Sequence, residues 1–84
     1  FIDSNVDLTE VNLSGVYLGG ANLKHANLRK ADLRKACLFR SDLSCANLEG
    51  ARLEGARFDR ETKFPDGYDP GARGAFDPGK SADQ

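Results

Sequence analysis

The sequence predicts an all-β solenoid, in which the chain coils around its own leucines. The first observation is a leucine on every fifth residue from Leu8 to Leu53, with Phe58 in the next place of that series. The second is a small or apolar residue two places before each of these, which is the alternation of a short extended segment. Tandem units of one fixed length are typical of solenoids.

A period of five excludes a continuous helix and a continuous strand. In an α-helix, five residues rotate the side chain by about 500°, so the leucines would spiral around the axis and form no stripe. In a strand, side chains alternate between two faces, so successive leucines would point to opposite faces. A short extended segment followed by a corner, repeated along the chain, keeps every leucine inside.

The predicted core consists of the central residue of each five-residue unit. These residues are Leu8, Leu13, Leu18, Leu23, Leu28, Leu33, Leu38, Leu43, Leu48, Leu53 and Phe58. The residue two places earlier is valine in the first three units, Val6, Val11 and Val16, and mostly alanine afterwards. We therefore expect the first coil to be wider than the later ones.

The units ANLKH, ANLRK, ADLRK and ANLEG resemble the A-(D/N)-L-x-x repeat of the pentapeptide-repeat family. The resemblance extends over residues 6–60 and implies a right-handed quadrilateral β-helix with four units, about 20 residues, in each coil. It therefore implies slightly under three coils, with leucines stacked in columns. The segment FDRETKFPDGYDP resembles the C-terminal ends of cyanobacterial and plastid members. This implies a cyanobacterial cytoplasm or a plastid as the compartment, the thylakoid lumen included.

The two ends need cover, because an open solenoid end exposes apolar side chains and unpaired backbone groups. Phe64 and Tyr68, which lie among the turn formers of FPDGYDP, are predicted to lie across the last coil. The sequence therefore divides into an N-terminal lead-in, a β-helix, a C-terminal cap and a flexible tail, at residues 1–5, 6–60, 61–70 and 71–84.

The N-terminal end has less evident cover. Phe1 and Ile2, a preceding sequence or a second copy could lie against it, and the last would make an end-to-end homodimer through the N-terminal coil. The chain starts at Phe1 and contains no methionine, which indicates a processed product or part of a longer protein.

Composition excludes several functional classes. The chain is 39% hydrophobic and 30% charged, with a net charge of −1, and no apolar run approaches the ~20 residues of a membrane span. A soluble protein without membrane insertion is expected. His25 has no placed carboxylate or thiol, Cys37 and Cys45 fall on different sides of a coil, and no zinc-ligand spacing occurs. We therefore expect no catalytic residues, no metal and no cofactor.

A basic run between Lys24 and Arg40 raises the question of nucleic-acid binding. Its members, at the corners of four successive units, are Lys24, Arg29, Lys30, Arg34, Lys35 and Arg40. They would ring the perimeter, and the residues stacked 20 positions away would form charge pairs that dilute a positive patch: Glu49 beside Arg29, Glu54 beside Arg34, Glu10 beside Lys30, and Arg52 beside Asp32. Nucleic acid is therefore not an expected partner, and weak polyanion binding through this ring is an alternative function.

A second alternative is inhibition of DNA gyrase or topoisomerase by imitation of DNA, an activity of some pentapeptide proteins. That activity needs a long, strongly acidic rod. Residues 6–60 contain nine Lys and Arg against seven Asp and Glu, which is a net charge of +2 and the wrong sign.

The third side of the coil is the candidate partner face, because it combines aromatic, small and basic residues at outward positions. It comprises Tyr17, Cys37, Phe39, Arg40 and Arg57. The sequence thus predicts a non-catalytic module that binds a protein partner, as yet unidentified, or acts as a rigid scaffold or spacer.

Overall fold

Parallel β-bridges between residues 20 positions apart form the walls of the molecule. The structure is a computed structural model that describes residues 5–80 of the 84-residue chain. Bridges from Asp7–Asn27 to Cys37–Arg57 all keep the spacing of 20 residues. Four five-residue units therefore complete one turn. Within residues 5–80, each extended segment forms its bridge through a single residue. Residues 5–80 contain one helical element, the 3₁₀-helix Gly71–Arg73.

Left-handed backbone at every fifth residue makes the corners. The N–H of Val11 donates to the carbonyl oxygen of Leu8 at 3.2 Å, and the residue before Val11, Glu10, has φ +61°. A positive φ at the third position of a four-residue turn favours glycine. The chain uses glycine at some corners, as at Gly50, and a side-chain residue at seven others within residues 5–80, as at Lys30.

Where an Asn or Asp precedes the leucine, its side chain stabilises the corner that follows. The Oδ1 of Asn27 accepts the N–H of Arg29 at 3.2 Å, and Asn47 does the same for Glu49 at 3.0 Å. Short amide and carboxylate side chains are suited to this contact with the backbone two residues on. Turn chemistry therefore explains why Asn and Asp recur in the repeat.

The leucines form a continuous core. Six of them are fully buried: Leu23, Leu28, Leu33, Leu38, Leu43 and Leu53. Leu18 and Leu48 are 7% and 5% exposed, whereas Leu8, Leu13 and Phe58 are partly buried against the same cluster. Ser41 stands at an alanine position, and its hydroxyl is satisfied by donating to the Leu38 carbonyl oxygen at 2.8 Å.

The coil continues past residue 60, so the boundary predicted between solenoid and cap needs correction. Lys63 bridges Asp42 at a spacing of 21 residues, and its carbonyl accepts the N–H of Leu43. One inserted residue therefore shifts the register, and Phe64 takes the place that a leucine holds in earlier units. The count of slightly under three coils for residues 6–60 stays a prediction.

The tail predicted to be flexible from residue 71 also needs correction. Phe76 bridges Arg57, donates its N–H to the Ala56 carbonyl and accepts the N–H of Phe58, while Ala75 is buried. These bonds attach the segment to the third side as one more level. The prediction for residues 81–84, and the lead-in residues Phe1 to Ser4, lie outside the described residues.

Aromatic rings cover the C-terminal end of the core. Phe64 packs edge-on against Phe58, with ring centroids 5.5 Å apart, and stacks on Tyr68 at 5.7 Å. Phe64 and Tyr68 are partly buried and pack against the leucine cluster. The Arg73 guanidinium lies 5.3 Å from the centroid of the Tyr68 ring.

Candidate functional site

One side of the coil differs from the others because no Asn or Asp occupies its outward bridging positions. Its bridged residues are Tyr17, Cys37, Arg57 and Phe76, stacked in one column. We call this surface, residues 16–20, 36–40, 56–60 and 75–77, the Tyr17 side. The neighbouring column contains Asn22, Asp42 and Lys63 and is polar throughout.

Two aromatic side chains of the Tyr17 side are open to solvent. Tyr17 is 68% exposed and Phe76 is 48% exposed. The Tyr17 ring lies over Gly19, since a Cβ built on that glycine would overlap the phenol. The absence of a side chain at Gly19 therefore lets the ring lie flat along the wall.

Phe39 and Arg57 form a contact between neighbouring levels of this side. The guanidinium carbon of Arg57 lies 5.8 Å from the centroid of the Phe39 ring, within the range of a cation–π contact. Phe39 is half-buried, whereas Arg40 and Arg57 are exposed. Of the residues predicted for the partner face, these three and Tyr17 are brought together on one wall.

Cys37 requires a correction. It belongs to the predicted partner face, but it is only 3% exposed, so a docked protein would not touch it. The residue lies in the column between Tyr17 and Arg57, one level from each, and is part of the wall beneath the surface.

Phe76 is the surface residue that sequence reasoning missed. The triplet Ala75-Phe76-Asp77 stacks on Ala56-Arg57-Phe58 at a spacing of 19 residues. The signal in the sequence was the pair Ala75-Phe76, a small residue followed by an outward one, as at the start of the repeat units. The Gly- and Pro-containing segment before it and the loss of one residue from the period obscured that signal.

The basic corners are exposed, but their pairing differs from the sequence prediction. Arg29 Nε lies 3.4 Å from Glu49 Oε1, as predicted for residues one level apart. Arg34 instead binds Asp32 of its own unit, with Nη2 and Oδ2 2.6 Å apart. The hydrogen bond from Arg34 lowers the pKa of Asp32 to about 2.

Two more predicted pairs do not form. Arg52 Nε is 3.8 Å from Glu54 Oε1, so it pairs within its own unit and not with Asp32. Glu10 and Lys30 form no ion pair within 4.0 Å among the residues described.

The reactive side chains form no cluster in the described part of the chain. Cys37 and Cys45 are both free, and residues 5–80 contain no group of three His, Cys, Asp or Glu that could hold a metal ion. An open cleft of about 550 Å³ lies between the cap and the wall at Ala46–Glu49, with Tyr68 and Arg73 in its lining. Burial raises the pKa of Tyr68, and Arg73 opposes that shift. Within residues 5–80, no helix has the length and apolar character needed to cross a bilayer.

Comparison with known proteins identifies the repeat. The family model described as pentapeptide repeats matches residues 7–44 and 38–60, with eight copies of the unit in total. The chain belongs to the pentapeptide-repeat family. Members of this family form right-handed quadrilateral β-helices and are generally non-enzymatic, and the parallel register of 20 residues is that of four units in each coil.

Solved pentapeptide-repeat proteins of cyanobacteria share the fold. One from Nostoc PCC 7120 is 34% identical over 83% of this chain and 78% of its own, with a TM-score of 0.57. Rfr23 from Cyanothece 51142 is 35% identical over 73% of this chain and 45% of its own, with a TM-score of 0.53. An Arabidopsis thaliana thylakoid-lumen protein is 25% identical, with a TM-score of 0.46. No curated protein gives a significant match.

Proposed function

We propose that this pentapeptide-repeat protein is a non-catalytic module that binds another protein through the Tyr17 side. The observation that carries the proposal is the exposure of Tyr17 and Phe76 in one column, at 68% and 48%. Tyrosine and phenylalanine are enriched in the cores of protein interfaces. Their alignment along one wall gives a partner a continuous strip to contact.

The rigidity of the wall supports the same function. Tyr17, Arg57 and Phe76 are attached to a backbone that is bridged from level to level, so their main chain is already fixed before binding. Binding then orders few additional groups, and ordering costs are what weaken many interfaces. The same rigidity would serve a scaffold or spacer, which is the rival use of the fold.

The other sides are less suited to a partner. Their outward Asn and Asp oxygens already accept the N–H groups of the following corners, as at Asn22 and Asp42. Such a surface stabilises its own backbone and offers little apolar area. The Tyr17 side has no such contact at its bridging positions and is therefore free to vary in composition.

Capture from an extract of the source organism tests this proposal, with the wild-type chain, Tyr17→Ser, Phe76→Ser and Arg52→Ser as baits. Arg52 is the matched control, because it is an exposed bridging residue on another side and makes no corner contact of the Asn type. A stoichiometric partner lost with the first two variants and retained with Arg52→Ser is the expected result. Equal capture by all four baits would contradict binding through the Tyr17 side, and no partner for any bait would favour the spacer.

We also propose the end-to-end homodimer through the N-terminal coil. Val16 is 38% exposed there, and Val6 and Val11 are only partly buried, so apolar surface is available for a second copy. A solution mass twice the 9.1 kDa of the chain is expected, and Val16→Lys should return it to the monomer mass. A monomer at all concentrations would contradict the dimer.

For the compartment, we propose a cyanobacterial cytoplasm or a plastid. The two cyanobacterial structures with TM-scores above 0.5 support this assignment. Immunolocalisation of the protein in its source organism is the direct test.

A further inference from the structure

We infer that the partner presents a short acidic segment to the Tyr17 side, an inference that rests on the proposed protein-binding function. The Tyr17 side contains Arg40, Arg57 and Arg60 against Asp59 and Asp77, which is a net charge of +1. On the opposite side, units 6–10, 26–30 and 46–50 contain two basic and three acidic residues, which is −1. The aromatic strip thus lies on a wall of net positive charge, opposite a wall of net negative charge.

The cations of this side have no anionic partner in the described chain. Among residues 5–80, ion pairs within 4.0 Å form at Arg29, Arg34 and Arg52. Arg40, Arg57 and Arg60 of the Tyr17 side are in none of them. Three guanidinium groups are therefore available to a partner, whereas Arg34 and Arg52 on one neighbouring side are already paired.

Asp59 does not neutralise these groups, because its carboxylate is used by the backbone. Its Oδ1 accepts the N–H of Arg40 at 3.0 Å and the N–H of Glu61 at 3.1 Å. The Thr62 hydroxyl lies 3.0 Å from the same oxygen, and its one proton is shared with the Leu38 carbonyl oxygen at 2.8 Å. With two backbone N–H donors already on one oxygen, the acid stabilises the corner, and it forms no ion pair within 4.0 Å with the guanidinium groups of its neighbours.

The contact between Arg57 and Phe39 prepares that guanidinium for a carboxylate. A guanidinium that stacks on a ring keeps its N–H donors in its own plane, and their fork matches the two oxygens of a carboxylate. Stacking at 5.8 Å from the Phe39 centroid also limits the side-chain freedom that Arg57 would lose on binding. We therefore assign Arg57 as the residue that binds the carboxylate of the acidic segment.

The column sets the length and pattern of the ligand. Tyr17 and Phe76 are three levels apart, with Arg57 one level from Phe76. At about 4.8 Å per level, the strip is about 14 Å long, which an extended chain covers with four or five residues. The fitting ligand is an extended segment with an apolar side chain at each end and an Asp or Glu between them.

Selection from a phage-displayed library of random 12-residue peptides on the whole chain tests the inference. Enriched peptides would be synthesised, and their affinities for the wild-type chain, Arg57→Gln, Tyr17→Ser and the control Arg52→Gln measured by fluorescence anisotropy. We expect an Asp or Glu beside apolar residues, and binding about tenfold weaker to Arg57→Gln and to Tyr17→Ser. Arg52→Gln should bind as the wild type does, and all variants should keep the wild-type unfolding midpoint.

Salt and a nucleic-acid competitor separate the outcomes. Raising the salt from about 0.05 M to 0.5 M should weaken binding, because exposed charges are screened. Peptides that need Tyr17 but have no acidic bias, or bind Arg57→Gln unchanged, would overturn the inference and leave the protein-binding function standing. Peptides indifferent to Tyr17→Ser, or no enrichment at all, would count against both. A single-stranded 12-mer oligonucleotide that displaces the peptide at equal concentration would replace the acidic segment by a general polyanion.

Discussion

The first coil, residues 6–25, and the second, residues 26–45, use the same repeat and are buried to different extents. All four leucines of the second coil are 0% exposed. In the first coil, Leu8 and Leu13 are only partly buried, Leu18 is 7% exposed and Leu23 reaches 0%. The comparison teaches that the burial of a leucine in this repeat depends on the neighbouring levels, and not on its own unit alone.

The small inward position shows the same contrast. Ala31 and Ala36 in the second coil are 0% exposed, whereas Val16 in the first coil is 38% exposed. A larger side chain at the end of the stack remains open because no described level lies beyond it. A five-residue unit of the first coil therefore contributes less to the free energy of unfolding than one of the second, although the backbone hydrogen bonds of both coils follow one pattern.

Removal of residues 61–84 should have the largest effect, because it would turn the C-terminal end into a second open end. The shortened chain loses the bridges Asp42–Lys63 and Arg57–Phe76 and the ring of Phe64 against Phe58. We expect the melting midpoint, followed by circular dichroism, to fall by about 10 °C or more. A chain that ends at residue 80 is the control and should melt as the full chain does. An unchanged midpoint after removal of residues 61–84 would show that the cap is dispensable.

Leucine truncation in one column measures the difference between the coils directly. Leu33→Ala should lower the free energy of unfolding by about 2–5 kcal/mol, since a fully buried leucine leaves a cavity. Leu13→Ala, one level away, should cost less than half as much because its side chain is already partly exposed. Urea unfolding of both variants gives the two values. Equal losses would mean that the first coil is covered as well as the second.

Alanine at two glycine corners tests the effect of a neighbouring level on a smaller scale. Gly20 and Gly50 both have φ +73°, so either substitution should cost about 1–2 kcal/mol from the left-handed backbone. A Cβ at Gly50 would also lie 3.1 Å from Lys30 Cγ, whereas none of the surrounding atoms is within 4 Å of one at Gly20. Urea unfolding should therefore give Gly50→Ala a lower free energy of unfolding than Gly20→Ala. The reverse order would rule out crowding at the stacked corner.

Acid should remove a small part of the stability of the second coil. The pKa of Asp32 is about 2 in the folded chain against an ordinary value of 3.8, chiefly because Arg34 donates to it. A lowered folded pKa gives stability that is present above the unfolded value and lost as the pH falls from about 4 towards 2. Asp32→Asn should flatten this dependence, since Asn12 already occupies the equivalent place one level away. Identical pH profiles for the two chains would show that Asp32 is not the source.

The repeat was predictable from the sequence because its cause is local. The leucine period, the Asn or Asp that accepts the next corner's N–H, and the small inward residue all lie within one five-residue unit. The composition of the Tyr17 side was predictable in part for the same reason, since Tyr17, Phe39 and Arg57 fall at outward positions of their units. Cys37 and Phe76 were misjudged because exposure and the shifted register after residue 60 depend on other levels.

Charge pairing shows the limit most clearly. The spacing of 20 residues correctly predicted Arg29 beside Glu49, but Arg34 and Arg52 found acids within their own units. Long side chains on a corner can reach either neighbour, so rotamers decide between them, and the repeat does not specify rotamers.

By itself, the sequence determined the period, the inward leucines and the corner chemistry, because these are set by interactions within about five residues. The tertiary structure decided what depends on stacking: which leucines are fully buried, how residues 61–77 rejoin the coil, and that Tyr17, Arg57 and Phe76 share one wall. The physical reason is that burial and ion pairing are properties of contacts between levels, and residues about 20 positions apart meet only when the chain has coiled.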